Sequence, residues 1–140
     1  MNRHGFFGLI VLAVLALTHL ASCDDEGCNQ EEIDVPPEIA ILGKWEVIEK
    51  GTNTDVDPDG YSEYLPDSIF LFFDYNEQAY LPQKTKYWIV DSLLYHQYIF
   101  NDGTFLTSTQ WYEFIECDQK LRLIPQMGIA VQMSIQKKID

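Results

Sequence analysis

Short apolar runs separated by turn-forming residues constrain the fold of this sequence more than any other feature. From about residue 39 onward, runs rich in Ile, Val, Tyr, Phe and Trp alternate with clusters of Asn, Asp, Gly and Pro, and a helical period is missing. The run VQMSIQ at 131–136 alternates apolar with polar side chains, which is typical of a strand with one buried face. The pattern therefore predicts an all-β domain of antiparallel strands.

Turn signals give the order of these strands. Asn101-Asp102-Gly103 predicts a hairpin turn leading into a strand that begins at Thr104, because Asp and Gly tolerate a positive φ. Asp91-Ser92 and residues 74–77 predict two more turns. We expect about eight strands in meander order, at 42–50, 68–73, 78–81, 86–90, 93–100, 110–117, 120–124 and around 131–136. An eight-stranded antiparallel up-and-down β-barrel would remove every sheet edge, and a β-sandwich is the alternative.

The N-terminal segment predicts export. A short positive start is followed by FFGLIVLAVLAL at 6–17, an apolar run that is too short to span a bilayer comfortably. Leu20-Ala21-Ser22-Cys23 then resembles the lipobox of bacterial lipoproteins. This resemblance implies that residues 1–22 are a signal peptide and that the thiol of Cys23 carries a diacylglycerol, with palmitate-like chains that hold the protein on a membrane. An ordinary signal peptide with a chance cysteine is the alternative.

Residues 23–38 are interpreted as a lipidated acidic tether, and residues 39–140 as one barrel domain. The acidic run Asp24-Asp25-Glu26 resembles the surface-export signal of some gut-dwelling Gram-negative bacteria, while an Asp next to the lipidated cysteine resembles an inner-membrane retention signal. We favour the bacterial outer membrane, and the resemblance to a surface-export signal implies exposure at the cell surface.

The charge balance excludes one class of partner. The chain has 9 Lys and Arg against 22 Asp and Glu, a formal net charge of −13. An anionic surface repels phosphate backbones and anionic headgroups, so we expect no nucleic-acid binding and a membrane contact through the lipid anchor alone.

Leu42-Gly43-Lys44-Trp45 resembles the opening of the lipocalins, in which Gly-x-Trp enters the first strand. The later order is also similar, with a Tyr-x-Ile run, a Tyr-x-Phe run and a Leu-x-Leu run at 87–89, 112–114 and 121–123. The chain thus resembles the lipocalin-like domains of bacterial lipoproteins. The resemblance implies that Trp45 closes one end of the barrel beneath a basic residue of the last strand, where this chain offers Lys137 and Lys138 instead of arginine.

Barrels of eight strands are either filled by side chains or hold one small ligand, and the sequence leaves both open. We expect these residues to line the interior as ligand contacts: Leu71, Phe73, Tyr87, Ile89, Tyr112, Phe114, Val131 and Met133. The predicted function is binding of a small apolar or amphipathic ligand. The alternative is a surface interaction module with a filled barrel, in which exposed aromatics bind a protein or a glycan; the candidates are Tyr61, Tyr64, Trp88, Tyr95 and Trp111.

Two further sites follow from spacing. Asp55, Asp57 and Asp59 before Gly60 have the spacing of calcium loops, although position twelve is Pro66 where that pattern needs Glu, and a solvated acidic loop is the alternative. Outside the cytoplasm, Cys28 and Cys117 could form a disulfide, and two free thiols are the alternative.

The sequence does not predict an enzyme. After removal of residues 1–22 the chain keeps a single histidine, His96, which we interpret as an ordinary strand residue, and its Ser and Cys residues lie in no recognisable nucleophile motif. Apart from the calcium loop, no cofactor is predicted.

Overall fold

The protein forms a closed antiparallel barrel of eight strands with one short additional strand. The structure, a computed structural model, describes residues 35–126 and 132–140. A short helix, α1 (Pro37–Ala40), precedes the first strand. The strands are β1 (Gly43–Lys50), β2 (Gly60–Leu65), β3 (Ile69–Asp74), β4 (Ala79–Tyr80), β5 (Lys84–Val90), β6 (Leu93–Ile99), β7 (Phe105–Ile115), β8 (Lys120–Pro125) and β9 (Ser134–Ile139), and a 3-10 turn at Pro66–Ser68 joins β2 to β3.

The strand pairings follow the order of the chain and then close on themselves. Each long strand pairs with its predecessor, β3 pairs with β5, and β9 returns to pair with β1. The two-residue β4 pairs with the end of β3 beside the barrel wall. The predicted up-and-down barrel is thus confirmed, and the alternative of a sandwich is excluded.

The structure corrects the predicted strands in two places. β2 was missed, because Ser62 and Tyr64 face the interior whereas Tyr61 and Glu63 face outward, so neither face is consistently apolar. β7 is one long strand from Phe105 to Ile115. The turns predicted at 91–92 and 101–103 are confirmed, with positive φ at Asp91 (53°) and Gly103 (84°).

The folded part begins two residues before the predicted boundary, because α1 starts at Pro37. The predicted signal peptide (1–22), Cys23 and Cys28 lie outside the described residues. Within the described ranges, no helix has both the length and the apolar character needed to cross a membrane.

Trp45 closes the end of the barrel next to α1. Its side chain is fully buried, and its indole Nε1–H donates a hydrogen bond of 2.7 Å to the carbonyl oxygen of Ile41. The strand register pairs Trp45 with Lys138, whose Nζ lies 5.2 Å from the centroid of the indole ring and donates to the carbonyl oxygen of Ala40 at 3.2 Å. A lysine therefore covers the tryptophan, and α1 is tied to the last strand.

Backbone conformation and limited space favour glycine at position 43 of the Gly-x-Trp motif. Gly43 has a φ of +117°, a conformation that side chains rarely adopt, and a Cβ on it would lie 3.2 Å from Cε of Lys138. The chain thus turns from α1 into β1 beneath the lysine stem.

We predict that Trp45→Ala destabilises the barrel by about 4 kcal/mol, because a large ring is removed from a closed core and its hydrogen bond to Ile41 is lost. The matched control is Trp111→Ala, because Trp111 is 47% exposed on the outer wall. This variant should lower the free energy of unfolding by about 1 kcal/mol. Urea unfolding of the two variants measures both free energies. Equal destabilisation would contradict the assignment of Trp45 as the closure of the barrel end.

Candidate binding cavity in the barrel interior

The interior of the barrel is divided into a filled half and a hollow half. The filled half lies at the α1 end, where Trp45 packs with a cluster of buried side chains. Its other members are Ile41, Tyr64, Phe70, Tyr87, Leu94, Leu121 and Leu123, with Ile89, Tyr112 and Phe114 packed against them. Beyond this cluster, the described residues line two adjoining cavities that are open to solvent.

The larger cavity has a volume of about 470 Å³ and the smaller about 150 Å³. Ser62, Phe70 and Tyr98 line both, so the two spaces are neighbours. The smaller cavity borders more of the filled half, because its lining includes Tyr64 and Leu123 in addition to Phe70. The larger is lined by Val47, Lys50, Ser62, Phe70, Phe72, Leu81, Gln83, Thr85 and Tyr98, and the smaller by Ser62, Tyr64, Phe70, His96, Tyr98, Gln110, Leu123, Ser134 and Gln136.

A buried hydrogen bond between Tyr64 and His96 forms part of the wall of the smaller cavity. The hydroxyl oxygen of Tyr64 lies 3.0 Å from Nε2 of His96, and Phe70 packs edge-on against the His96 ring at 4.7 Å between centroids. Burial lowers the pKa of His96 to about 4 and raises the pKa of Tyr64 well above its ordinary value. Burial also raises the pKa of Tyr98, which bonds to Ser108. All three side chains are therefore neutral at physiological pH.

Gln136 supplies a hydrogen-bond acceptor to the same wall. The residue is only 6% exposed, and its Oε1 has no hydrogen-bond partner among the described residues. Its neighbours in the sheet are Val47 and Leu121, which explains why the adjacent strands leave the amide oxygen unpaired. Buried polar atoms without a partner are rare in folded proteins, so this oxygen marks a position in the cavity that favours a hydrogen-bond donor.

Half of the predicted ligand contacts lie in the filled half. Tyr87, Ile89, Tyr112 and Phe114 point inward, as expected, but they pack at the α1 end away from the linings of the two cavities. The hydroxyl of Tyr87 donates to the carbonyl oxygen of Leu65, and the hydroxyl of Tyr112 donates to that of Asp91, each at 2.9 Å. These aromatic rings hold the closed end together.

The inward orientation predicted for Leu71 and Phe73 is wrong. In β3 the inward side chains are Phe70 and Phe72, whereas Phe73 stacks on Tyr61 outside the barrel with ring centroids 5.0 Å apart. Because side chains alternate along a strand, shifting the inward set by one residue reverses both faces. The apolar run IFLFF contains no polar residue that would have indicated which of its side chains face outward.

The last strand was assigned to the wrong face for a different reason. Met133 precedes β9 and is 38% exposed, and Val131 lies outside the described residues. Within β9, Ser134 and Gln136 face the smaller cavity, while Ile135 pairs with Arg122 and Glu49 on the opposite face. Here the polar side of the strand faces inward.

The predicted calcium loop lacks the geometry of a metal site. Among residues 35–126 and 132–140, no group of three or more His, Cys, Asp and Glu side chains is placed to hold a metal ion. Asp55, Asp57 and Asp59 therefore do not converge, and this loop is a solvated acidic connection between β1 and β2.

Cys117 lies in the turn between β7 and β8, with a φ of 55°. It is disulfide-bonded, and its partner lies outside the described residues. The pairing of Cys117 with Cys28 thus stays a prediction.

The outer wall carries aromatic side chains as well. Trp88 and Tyr95 stack with ring centroids 5.2 Å apart and an interplanar angle of 6°. Tyr61 and Tyr80 form an edge contact, and the hydroxyl of Tyr80 donates to Glu63. Tyr64 is the exception among the predicted surface aromatics, because it is buried in the core.

We predict that His96 makes stability depend on pH. The unfolded state takes up a proton as the pH falls below the ordinary pKa of 6.5, whereas the folded state resists until about 4. The contribution of neutral His96 to the free energy of unfolding is therefore complete above pH 6.5. It is lost as the pH falls towards 4, which lowers the free energy of unfolding by about 3 kcal/mol. Chemical unfolding at a series of pH values, compared with His96→Gln, isolates this effect from that of the carboxylates. Parallel stability curves for the two proteins between pH 4 and 6.5 would contradict it.

Comparison with known proteins supports the fold and goes no further. No protein-family model matches the chain. No curated protein matches it by sequence either. The chain is similar in structure to an uncharacterized protein from Bacteroides eggerthii DSM 20697 solved by crystallography, with a TM-score of 0.51 and 15% sequence identity over 71% of this chain and 99% of that chain. At this identity the likeness shows a shared fold.

Proposed function

We propose that this chain is a lipid-anchored protein of the bacterial cell envelope whose barrel binds one small amphipathic ligand without covalent chemistry. The observation that carries the proposal is the pair of adjoining cavities behind a filled barrel end. An interaction module with a filled barrel would need no such space. The same design, closed at one end by a buried Trp and hollow at the other, supports a relationship to the lipocalin-like lipoproteins.

The chemistry of the two cavities favours an amphipathic ligand over a purely apolar one. The larger cavity offers the apolar side chains of Val47, Phe72 and Leu81. The smaller cavity places the polar groups of His96 and Gln136 beyond them. An apolar ligand would leave the Oε1 of Gln136 without a partner, at a cost of about 1–3 kcal/mol. A ligand with one polar end and one apolar end matches both walls.

A second binding activity is supported by the outer wall. Trp88 and Tyr95 present a flat stack on the β5–β6 hairpin, and Trp111 stands nearly half exposed on β7. Stacked aromatic rings at a surface suit the apolar faces of sugar rings or the anchor residues of a protein partner. We rank this activity second, because single exposed aromatic residues are common on strands.

For the ligand itself, we predict that Ser62→Trp abolishes binding, since Ser62 lines both cavities and a large ring would fill the space between them. The full chain and this variant are purified in parallel from the bacterial envelope, and co-purifying small molecules are identified by mass spectrometry after organic extraction. The expected result is a discrete molecule that is present in the wild type and depleted at least about tenfold in the variant.

The matched control for this experiment is Thr107→Trp, which adds the same ring on the exposed outer face of β7. Circular dichroism establishes that both variants keep the barrel. Identical small-molecule profiles for the wild type and Ser62→Trp would contradict a ligand inside the barrel.

For the anchor, we predict that Cys23→Ala prevents incorporation of radiolabelled palmitate and releases the protein from the membrane fraction, because the thiol is the acceptor of the lipid. Cys28→Ala is the control and should stay labelled. Labelling in Cys23→Ala, or its loss in Cys28→Ala, would show that the LASC motif is not the lipidation signal. Separation of inner and outer membranes on a density gradient tests the proposed outer-membrane location.

A further inference from the structure

We propose that the smaller cavity binds the uncharged head group of the ligand, and that this head group donates a hydrogen bond to Oε1 of Gln136. The ligand class is thus a neutral amphiphile with a hydroxyl or primary amide at one end. This inference rests on the proposed function, because it assigns the orientation and head-group chemistry of a ligand in the same barrel.

The need for a donor follows from the state of Gln136. The residue is 94% buried, and its Oε1 accepts no hydrogen bond from the described part of the chain. A carbonyl oxygen accepts hydrogen bonds and donates none, so only a donor group satisfies it. A head group with an O–H or N–H meets that requirement, while an ether, an ester or a ketone does not.

The absence of charge follows from the lining. At neutral pH every described side chain that lines the smaller cavity is uncharged, since its polar members are Ser, Tyr, Gln and a neutral His. A carboxylate or an ammonium group would lose its hydration there without meeting a counter-ion. Lys50 lines the larger cavity, so an anionic head group would find its partner there and leave Gln136 unpaired.

The size of the smaller cavity fits a head group alone. Its volume of about 150 Å³ corresponds to about five water molecules at about 30 Å³ each, which suits a hydroxyl or an amide with its first carbon atoms. The apolar tail would then occupy the larger cavity beside Phe72 and Leu81. The head group would then lie next to the filled half, and the tail would lie on the side away from Trp45.

The experiment compares three probes of similar length: 1-decanol, decyl methyl ether and decanoate. Binding to the full chain in lipid nanodiscs is measured by equilibrium dialysis against protein-free nanodiscs. We expect 1-decanol to bind about tenfold more tightly than the ether, which lacks the donor, and also more tightly than decanoate, which carries a charge. This comparison needs no variant and holds whether or not a substitution affects folding.

The variant Gln136→Met removes the amide while keeping a side chain of similar length. We expect it to weaken 1-decanol binding about tenfold and to leave ether binding unchanged, so that the preference disappears. The matched control is Gln97→Met, which makes the same change on the outer face of β6. Gln97 lies there in register with Lys86 and Thr107. This variant should keep the preference for 1-decanol.

Four outcomes would overturn the inference. Equal affinities for 1-decanol and the ether in the wild type, or tighter binding of decanoate, would remove the neutral donor subsite and leave the ligand-binding function standing. A preference that survives in Gln136→Met would place the acceptor elsewhere. Failure of all three probes to bind, together with unchanged co-purifying molecules in Ser62→Trp, would overturn the proposed function as well.

Discussion

Pairing between the first and last strands sets the geometry on which the rest of this barrel depends. The β1–β9 register places Trp45 opposite Lys138, and the same ladder places Val47 opposite Gln136. The first pair builds the closed end, because the lysine stem covers the indole and reaches the end of α1. The second pair points the Gln136 amide into the interior. A shift of one residue in this ladder would exchange the two faces and remove both the closure and the acceptor.

Polar side chains in the hollow half give the barrel interior defined hydrogen-bonding positions in addition to its apolar surface. Tyr64 and His96 satisfy each other, and the hydroxyl of Tyr98 is bonded to Ser108. These pairs hold the rings in fixed positions, because an unpaired partner in a low-dielectric interior would be costly. On the same wall, the Oε1 of Gln136 is an acceptor without a partner among the described residues. The cavity therefore combines a rigid polar wall with one open hydrogen-bonding position.

The fold could be predicted from the sequence because turn chemistry is local. Asp91 and Gly103 adopt the positive φ values that their residue types favour, so the meander order followed from the turns. The site could not be predicted, because the alternation rule assigns the apolar side chains of a strand to the interior and the polar ones to the exterior. Gln136 faces inward and Phe73 faces outward in this barrel, so the rule reversed the faces of β9 and β3. The polar lining, including His96, gave no signal that distinguished it from an ordinary strand surface.

The most direct test of a polar subsite beyond an apolar cavity is the orientation of a bound amphiphile. Crystals of the full chain soaked with 10-bromo-1-decanol would locate the bromine by its anomalous scattering. The predicted result is a bromine in the larger cavity beside Phe72 and Leu81, with the hydroxyl directed at Gln136. A bromine in the smaller cavity against Leu123, or on the outer wall beside Trp88, would contradict this account of the barrel interior.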